Sequence, residues 1–226
     1  MISDDELRAA YAVADRTMPH VRMNFVASAD GSVTLGGRSG TLGGDTDRRL
    51  MQVLRAQSDV VLVGAGTVRA EGYAGVTPRL AIVSARLELA PDDPALAEAA
   101  VRPIVITAEA APASRREELD AVADVIVCGA ASVDLSLMVR ELADRGMPQV
   151  LCEGGPHLFG SLLDAGAVDE LCLTLSPRIV GGSAGRIAQG AAEADRRFGL
   201  RGVLHDDEGY VFLRYAASSA SASRIV

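Results

Sequence analysis

The chain has 226 residues, 49% hydrophobic and 23% charged, with a formal net charge of −8. That length and balance fit one folded domain with a substantial core and exclude a disordered chain. The acidic balance, with aromatics at 4% and no Trp, excludes nucleic acid as a partner, which calls for a basic surface and stacking rings.

Ser3 and Glu6 have capping-box spacing and predict a helix over 4–15. This acidic start resembles neither a signal nor a transit peptide, and no apolar run approaches the ~20 residues that span a bilayer. A cytoplasmic protein with no membrane partner is expected. Short apolar strands follow at 21–27, 60–64, 80–83, 103–107, 125–127 and 149–152. Amphipathic helical patterns lie between several of them, at 46–57, 113–122, 132–145 and 157–165. Continuous apolar strands alternating with helices predict a parallel sheet buried on both faces, with its ligand edge at the strand ends.

The last third lacks helical patterns: 170–176, 200–205 and 210–215 read as strands, the final pair a hairpin turning at Asp206, Asp207, Glu208 and Gly209. The fold class is therefore α/β, a mainly parallel central sheet flanked by helices with antiparallel C-terminal strands. One domain over 1–215 with a flexible tail over 216–226 is expected.

Glycine makes up about a tenth of the chain, 23 residues, which directs attention to tight turns and backbone contacts with a ligand. Gly64 and Gly66 follow a strand, Thr67 is placed to cap a short helix, and Arg69 stands where a dinucleotide-binding turn has its third glycine. A plain strand-to-helix turn is the alternative. Glu153, Gly154, Gly155, Pro156, His157 and Leu158 form a second such turn, with Pro156 suited to the first turn of a helix whose amides face a phosphate; an ordinary βα turn with a surface carboxylate is the alternative. A third region, 30–44, holds six glycines (31, 36, 37, 40, 43 and 44) and reads as a flexible lid or a surface loop. Ser84 and Arg86, about 20 residues beyond Gly66, suit the 2′-phosphate of NADP better than the ribose hydroxyls of NAD; taken alone, Arg86 reads equally as a solvated loop arginine. Cys128, Cys152 and Cys172 are scattered and read as small buried hydrophobes, and His20, His157 and His205 have no metal-ligand spacing, so no metal is expected. The acidic runs at 92–93 and 206–208 read as solvated turns.

Four stretches together, 22–31 (RMNFVASADG), 47–57 (DRRLMQVLRAQ), 59–72 (DVVLVGAGTVRAEG) and 151–171 (LCEGGPHLFGSLLDAGAVDEL), resemble the reductase domain of the riboflavin-biosynthesis deaminase/reductase enzymes. The resemblance covers roughly 20–182. It implies a dihydrofolate-reductase-like fold, a homodimer, and NADPH-dependent reduction of 5-amino-6-(5-phosphoribosylamino)uracil to its ribitylamino form. It places Val26, Ala27, Thr67, Glu71, Ser84 and 155–161 on the cofactor, and Ser39, Arg55 and Glu153 on the substrate, with Arg55 facing its phosphate. Glu71 is the expected catalytic carboxylate, standing where the family carries Asp. Asn24 stands among the substrate contacts where the family carries Lys. The 71–78 loop is short, which leaves Arg79 as the candidate second substrate arginine. No zinc-deaminase motif of the form H-x-E…P-C-x-x-C is present, so a stand-alone reductase is implied. A pterin, dihydrofolate or other small carbonyl or imine reductase, and a non-catalytic nucleotide-binding protein, are the alternatives.

Overall fold

The computed structural model describes residues 2–218. Among the described residues nine strands form one sheet: β1 (His20–Ser28), β2 (Val60–Gly64), β3 (Arg79–Val83), β4 (Ile104–Thr107), β5 (Asp124–Val127), β6 (Gln149–Cys152), β7 (Glu170–Ser176), β8 (Phe198–His205) and β9 (Val211–Ala217). Their order is β5-β4-β3-β2-β6-β1-β7-β9-β8. All pairings from β5 to β7 are parallel, and β7–β9 and β9–β8 are antiparallel. The expected fold class is therefore the observed one.

The helices of the described residues cover the sheet: α1 (Asp4–Ala10), α2 (Asp45–Ala56), α3 (Ala65–Glu71), α4 (Pro94–Ala97), α5 (Ala113–Asp120), α6 (Leu135–Asp144) and α7 (Pro156–Asp164). Side chains alternate across each strand, so one strand feeds two cores. Val60 and Leu62 of β2 pack with Met138, Leu142, Phe159 and Leu162 of α6 and α7. Val61 and Val63 of the same strand pack with Val68 of α3 and Leu96 of α4. A third cluster joins Leu7 and Tyr11 to Leu50 and Leu54 of α2 and to Cys172 and Phe212. The three cysteines are free and buried, as small hydrophobes would be. Among the described residues no helix is long and apolar enough to cross a membrane.

Several expected boundaries move, each for a local reason. The first helix stops at Ala10 rather than running to 15. Arg214 Nη1 and Nη2 donate to the carbonyls of Ala10 and Ala12, and Arg22 Nη2 donates to that of Tyr11, so tertiary donors replace the next helical turn. Helix α6 starts at Leu135, not 132, because the Asp134 carboxylate caps it by accepting from Leu137 N–H. Asp93 likewise caps α4, a helix absent from the sequence pattern. Asp206 is buried and accepts from the amides of Glu208 and Tyr210, so it builds the hairpin turn instead of lying in solvent. Strand β9 extends to Ala217, which pairs with Phe198. Residues 216 and 217 thus belong to the sheet and not to the expected tail, whose positions 219–226 lie outside the described residues.

Glu170 opens β7 with its side chain only 2% exposed. Arg22 Nε lies 2.5 Å from it, Arg214 Nε donates to it at 2.8 Å, and His20 Nε2 lies 3.8 Å away. Burial alone would push this carboxyl up, and the two guanidiniums hold it below the usual carboxylate range. Removing one member of such a cluster strands buried charge. Glu170→Ala is expected to cost about 3–5 kcal/mol, read as a loss in urea midpoint by circular dichroism. Wild-type stability from this group is present above about pH 4 and fades as the pH falls through the folded value.

Candidate active site

The helices that follow the adjacent strands β2 and β6 leave on opposite faces of the sheet. Helix α3 packs in the core of Val61 and Val63, and α7 in that of Val60 and Leu62. Diverging crossovers of this kind open a crevice at the carboxyl ends of the strands, where open α/β sheets bind ligands. Both glycine turns stand in that crevice, Gly64 as the N-cap of α3 and Gly155 as that of α7.

The two turns are tied together. Thr67 Oγ1 accepts from Gly155 N–H at 3.0 Å, and the Gly154 carbonyl accepts from Gly64 N–H at 3.3 Å. A Cβ on residue 155 would fall 2.9 Å from Thr67 Oγ1, and Gly154 has a φ of 140°, so both positions call for glycine. Thr67 is thus not the helix cap expected from the sequence: the helix begins two residues before it, and its hydroxyl is spent across the crevice. Neither helix has a side-chain N-cap, and Pro156 at the start of α7 has no N–H of its own. The first amides of α7 are left for an anion.

Two cavities meet here and share Gly64, Gly66 and His157 on their walls. The larger, about 560 Å³, lies between β1, α2, α3 and the 30–44 loop. It brings together Asn24, Val26, Ser39, Thr67, Glu71 and Glu153, with Gly154 and Pro156 at its base. The second, about 520 Å³, is lined by Ser84, Arg86, Leu158 and Ser161. Ala27 alternates with Val26 along β1, is 4% exposed and lines neither cavity. Arg86 is exposed and rests on Glu88, Nε to Oε1 2.6 Å.

Glu71 ends α3 with its carboxylate held on the facing loop: Ser39 N–H donates to Oε1 at 2.9 Å and Ser39 Oγ at 3.0 Å. Two residues named separately from the sequence are therefore one unit. Arg55 is a correction. Its Nε and Nη2 grip the two oxygens of Glu153 at 2.6 Å each, and its side chain is not on the cavity wall. A buried carboxylate, 3% exposed at Glu153, takes the nearest guanidinium as its counter-charge, so Arg55 orients Glu153 instead of standing free on the cavity wall. Arg79 is a second correction: it begins β3, at the opposite edge of the sheet, where it pairs with Asp124 and donates to the Arg102 carbonyl.

The glycine-rich loop is more built than a flexible lid. Gly36 and Gly37, both at positive φ, turn a small hairpin closed between Leu35 and Arg38. Val33 and Leu42 are buried. Asp30 pins the loop's base, accepting from Ser28 Oγ and from the amides of Val180 and Gly181. Those donors, Ser28 foremost, hold its carboxyl down at about 2.

Tyr73, Asp47, Arg48 and Met51 are among the cavity residues that escaped the sequence reading. Tyr73 follows the turn at Gly72 and its hydroxyl donates to the Glu153 carbonyl at 3.5 Å, and burial pushes its phenol far up. Asp47 and Met51 line the cavity from α2. The pattern of α2 marks Asp47 as polar and solvated. The one hint was Gly43 four residues earlier, whose bare backbone faces the carboxylate: a Cβ there would lie 2.4 Å from Asp47 Oδ2.

Residues 19–212 match the family model of the RibD C-terminal domain. The chain belongs to that family. It is 33% identical over 175 residues to a 2,5-diamino-6-ribosylamino-4(3H)-pyrimidinone 5′-phosphate reductase of Methanothermobacter thermautotrophicus, covering 73% of this chain and 80% of that protein. Among solved structures it is similar to a pyrimidine reductase-like protein of Corynebacterium diphtheriae, with a TM-score of 0.80, 27% identity, and coverage of 96% and 99% of the two chains. The fold is also that of a deaminase/5-amino-6-(5-phosphoribosylamino)uracil reductase of Thermotoga maritima, at a TM-score of 0.70, 22% identity, and coverage of 90% of this chain and 58% of that one. The reductase domain of the RibD family implies a nucleotide cofactor.

The pinned loop gives a pH-dependent expectation. Because the Asp30 carboxyl titrates lower in the folded chain, its contribution is present above about pH 4 and vanishes as the pH falls through about 2. Asp30→Asn should lower Tm at pH 7, with the gap to wild type narrowing steadily between pH 4 and pH 2. A gap constant with pH would show that hydrogen bonds the amide fails to make, and not the charge, account for the difference.

Proposed function

We propose that the chain is an NADPH-dependent reductase of a ribosylaminopyrimidine 5′-phosphate, acting in riboflavin biosynthesis. The observation that carries this reading is the meeting of two cavities over Gly64, Gly66 and His157, between the open start of α7 and the Glu71–Ser39 pair. A dinucleotide needs such a paired site, one half for each end. The residues fit the group. Gly154 and Gly155 leave the backbone bare where a pyrophosphate would approach, the α7 amides supply donors, and Ser84 and Arg86 offer a hydroxyl and a guanidinium to a 2′-phosphate.

When bound, NADPH supplies the hydride that reduces the ring-opened ribose carbon. The chain's part is positional and electrostatic. Glu153, oriented by Arg55 and facing the larger cavity, accepts hydrogen bonds from substrate hydroxyls. Glu71, oriented by Ser39, holds the polar groups next to the reacting carbon and relays the proton that balances the hydride. Arg48 lines the same cavity and is exposed, so it takes the role of phosphate contact first assigned to Arg55. The cytoplasm is the compartment this chemistry suits. A homodimer through β8 is part of the reading, supported by an edge strand with Leu200 and Val203 about half exposed, and sedimentation at two concentrations tests it.

The deciding assay follows NADPH absorbance with the pyrimidine ribotide, and no loss of absorbance would end this reading. Glu71→Gln is expected to lower kcat by about 10²-fold while shifting the NADPH Kd less than about twofold; equal losses would reassign Glu71 to cofactor binding. Arg86→Ala should weaken NADPH about tenfold and leave NADH unchanged, since one charge-assisted bond to phosphate contributes about 1.5–3 kcal/mol. Parallel losses for both nucleotides would remove Arg86 from the 2′-phosphate.

A further inference from the structure

The smaller cavity carries a carboxylate that the reading above does not use. Its wall holds two guanidiniums, Arg69 from the last turn of α3 and Arg86 from the segment after β3. Glu88 is the one carboxylate on that wall among the described residues. Both arginines are engaged by it. Arg86 Nε lies 2.6 Å from Glu88 Oε1 and Nη2 3.4 Å from Oε2, and Arg69 Nη2 lies 3.9 Å from Oε2. Arg69 Nη1 also donates to the Glu88 carbonyl at 2.8 Å. A dianion placed between the two guanidiniums would need the bonds that this carboxylate already takes.

The arrangement is built into the backbone. Leu87, between Arg86 and Glu88, has a φ of 55° and is the only non-glycine at positive φ among the described residues. A bulky side chain rarely adopts that conformation, and such strain persists only where the surroundings enforce it. Here they do. Leu87 and Leu89 are buried in the core with α3 and α4, which turns the side chains of 86 and 88 outward together. Arg115 Nη2 donates to the carbonyls of Leu87 and Leu89, and Arg69 takes the carbonyl between them. Three successive carbonyls are therefore held by two arginines, and the turn presents Arg86 and Glu88 side by side over the cavity. Their side chains are 81% and 52% exposed, so their attraction is weak enough for a ligand to break.

We propose that Glu88 is a resident competitor for the 2′-phosphate of the dinucleotide, and that it sets how far the site prefers NADPH to NADH. A 2′-phosphate must displace the carboxylate from Arg86 and Arg69 before it can bond them. A ribose 2′-hydroxyl meets no such contest and can donate to the carboxylate where it stands. Glu88 therefore narrows the preference that Arg86 creates. This role rests on the NADPH reading above and adds to it the residue that grades the choice of cofactor.

Calorimetry with 2′,5′-ADP and 5′-AMP, the adenosine ends of the two dinucleotides, tests this on the whole chain without turnover. Glu88→Gln is expected to tighten 2′,5′-ADP about fivefold, the scale of one exposed ion pair, and to leave 5′-AMP unchanged or weaker. In an Arg86→Ala background the same substitution should change 2′,5′-ADP less than about twofold, because the contested guanidinium is gone. With intact dinucleotides and the pyrimidine ribotide, the ratio of kcat/KM for NADPH to that for NADH should rise about fivefold in Glu88→Gln. No tightening of 2′,5′-ADP, equal tightening of both nucleotides, or a gain that persists without Arg86 would overturn the role of Glu88 and leave the reductase reading standing. Weaker binding of both nucleotides in Glu88→Gln would make the residue a support of the turn and overturn the role in the same way. Binding of neither nucleotide to wild type would overturn the NADPH reading itself, and this role with it.

Discussion

The site depends on one topological fact, that the chain leaves two neighbouring parallel strands in opposite directions. With α3 on one face and α7 on the other, the ends of β2 and β6 open onto the two cavities, and the backbone there is presented edge-on to whatever enters. Left alone, such a crevice would be held only by the sheet below it. The Thr67 hydroxyl spans it, fixing the two turns against each other at 3.0 Å. That contact allows no side chain at 155, so the same atoms that brace the crevice keep it shallow enough for backbone recognition. The two cavities are then neighbours because they are two sides of one turn.

Stability is concentrated at the other end of the strands. Glu170, Arg22 and Arg214 join β1, β7 and β9 and take the carbonyls at the end of α1, which fastens the antiparallel extension to the parallel sheet far from the ligand edge. The carboxylates near the cavities are treated differently. Glu153 has its guanidinium, Glu71 has a serine, and Asp47 has only a hydroxyl. This gradation from fully to barely compensated charge runs from the scaffold to the cavity floor, as expected where binding supplies the missing partner.

Elements built on repeated local patterns were legible in the sequence. The strands β2, β4 and β6 are runs of apolar residues with no competing period, and α2 and α7 have turn chemistry at both ends, so their bounds moved by about a residue. The family and the glycine turns were legible because close backbone approach demands one residue type. What escaped was set by partners distant in sequence. Arg22 and Arg214 end α1 early, and no local signal at 11–15 announces them. Glu153 claims Arg55 across 98 residues, and Arg79 was pointed at the wrong edge by its strand's direction. Asp47 looked like one more charge on a solvated helix face, because whether the first turn of α2 meets solvent or a cavity is decided by where β7 lies.

The buried cysteines give the fold an internal clock. Burial pushes the Cys128 thiol up to about 11, that of Cys152 to about 12, and that of Cys172 well above its ordinary value. Since the thiolate is the reactive form, alkylating and disulfide reagents are slow against all three while the sheet is closed. Each cysteine belongs to a different part of it: Cys128 follows the outer parallel strand β5, Cys152 ends β6 beside the crevice, and Cys172 lies in β7 where the antiparallel extension begins. The order in which they become labelled therefore traces the order in which the molecule opens.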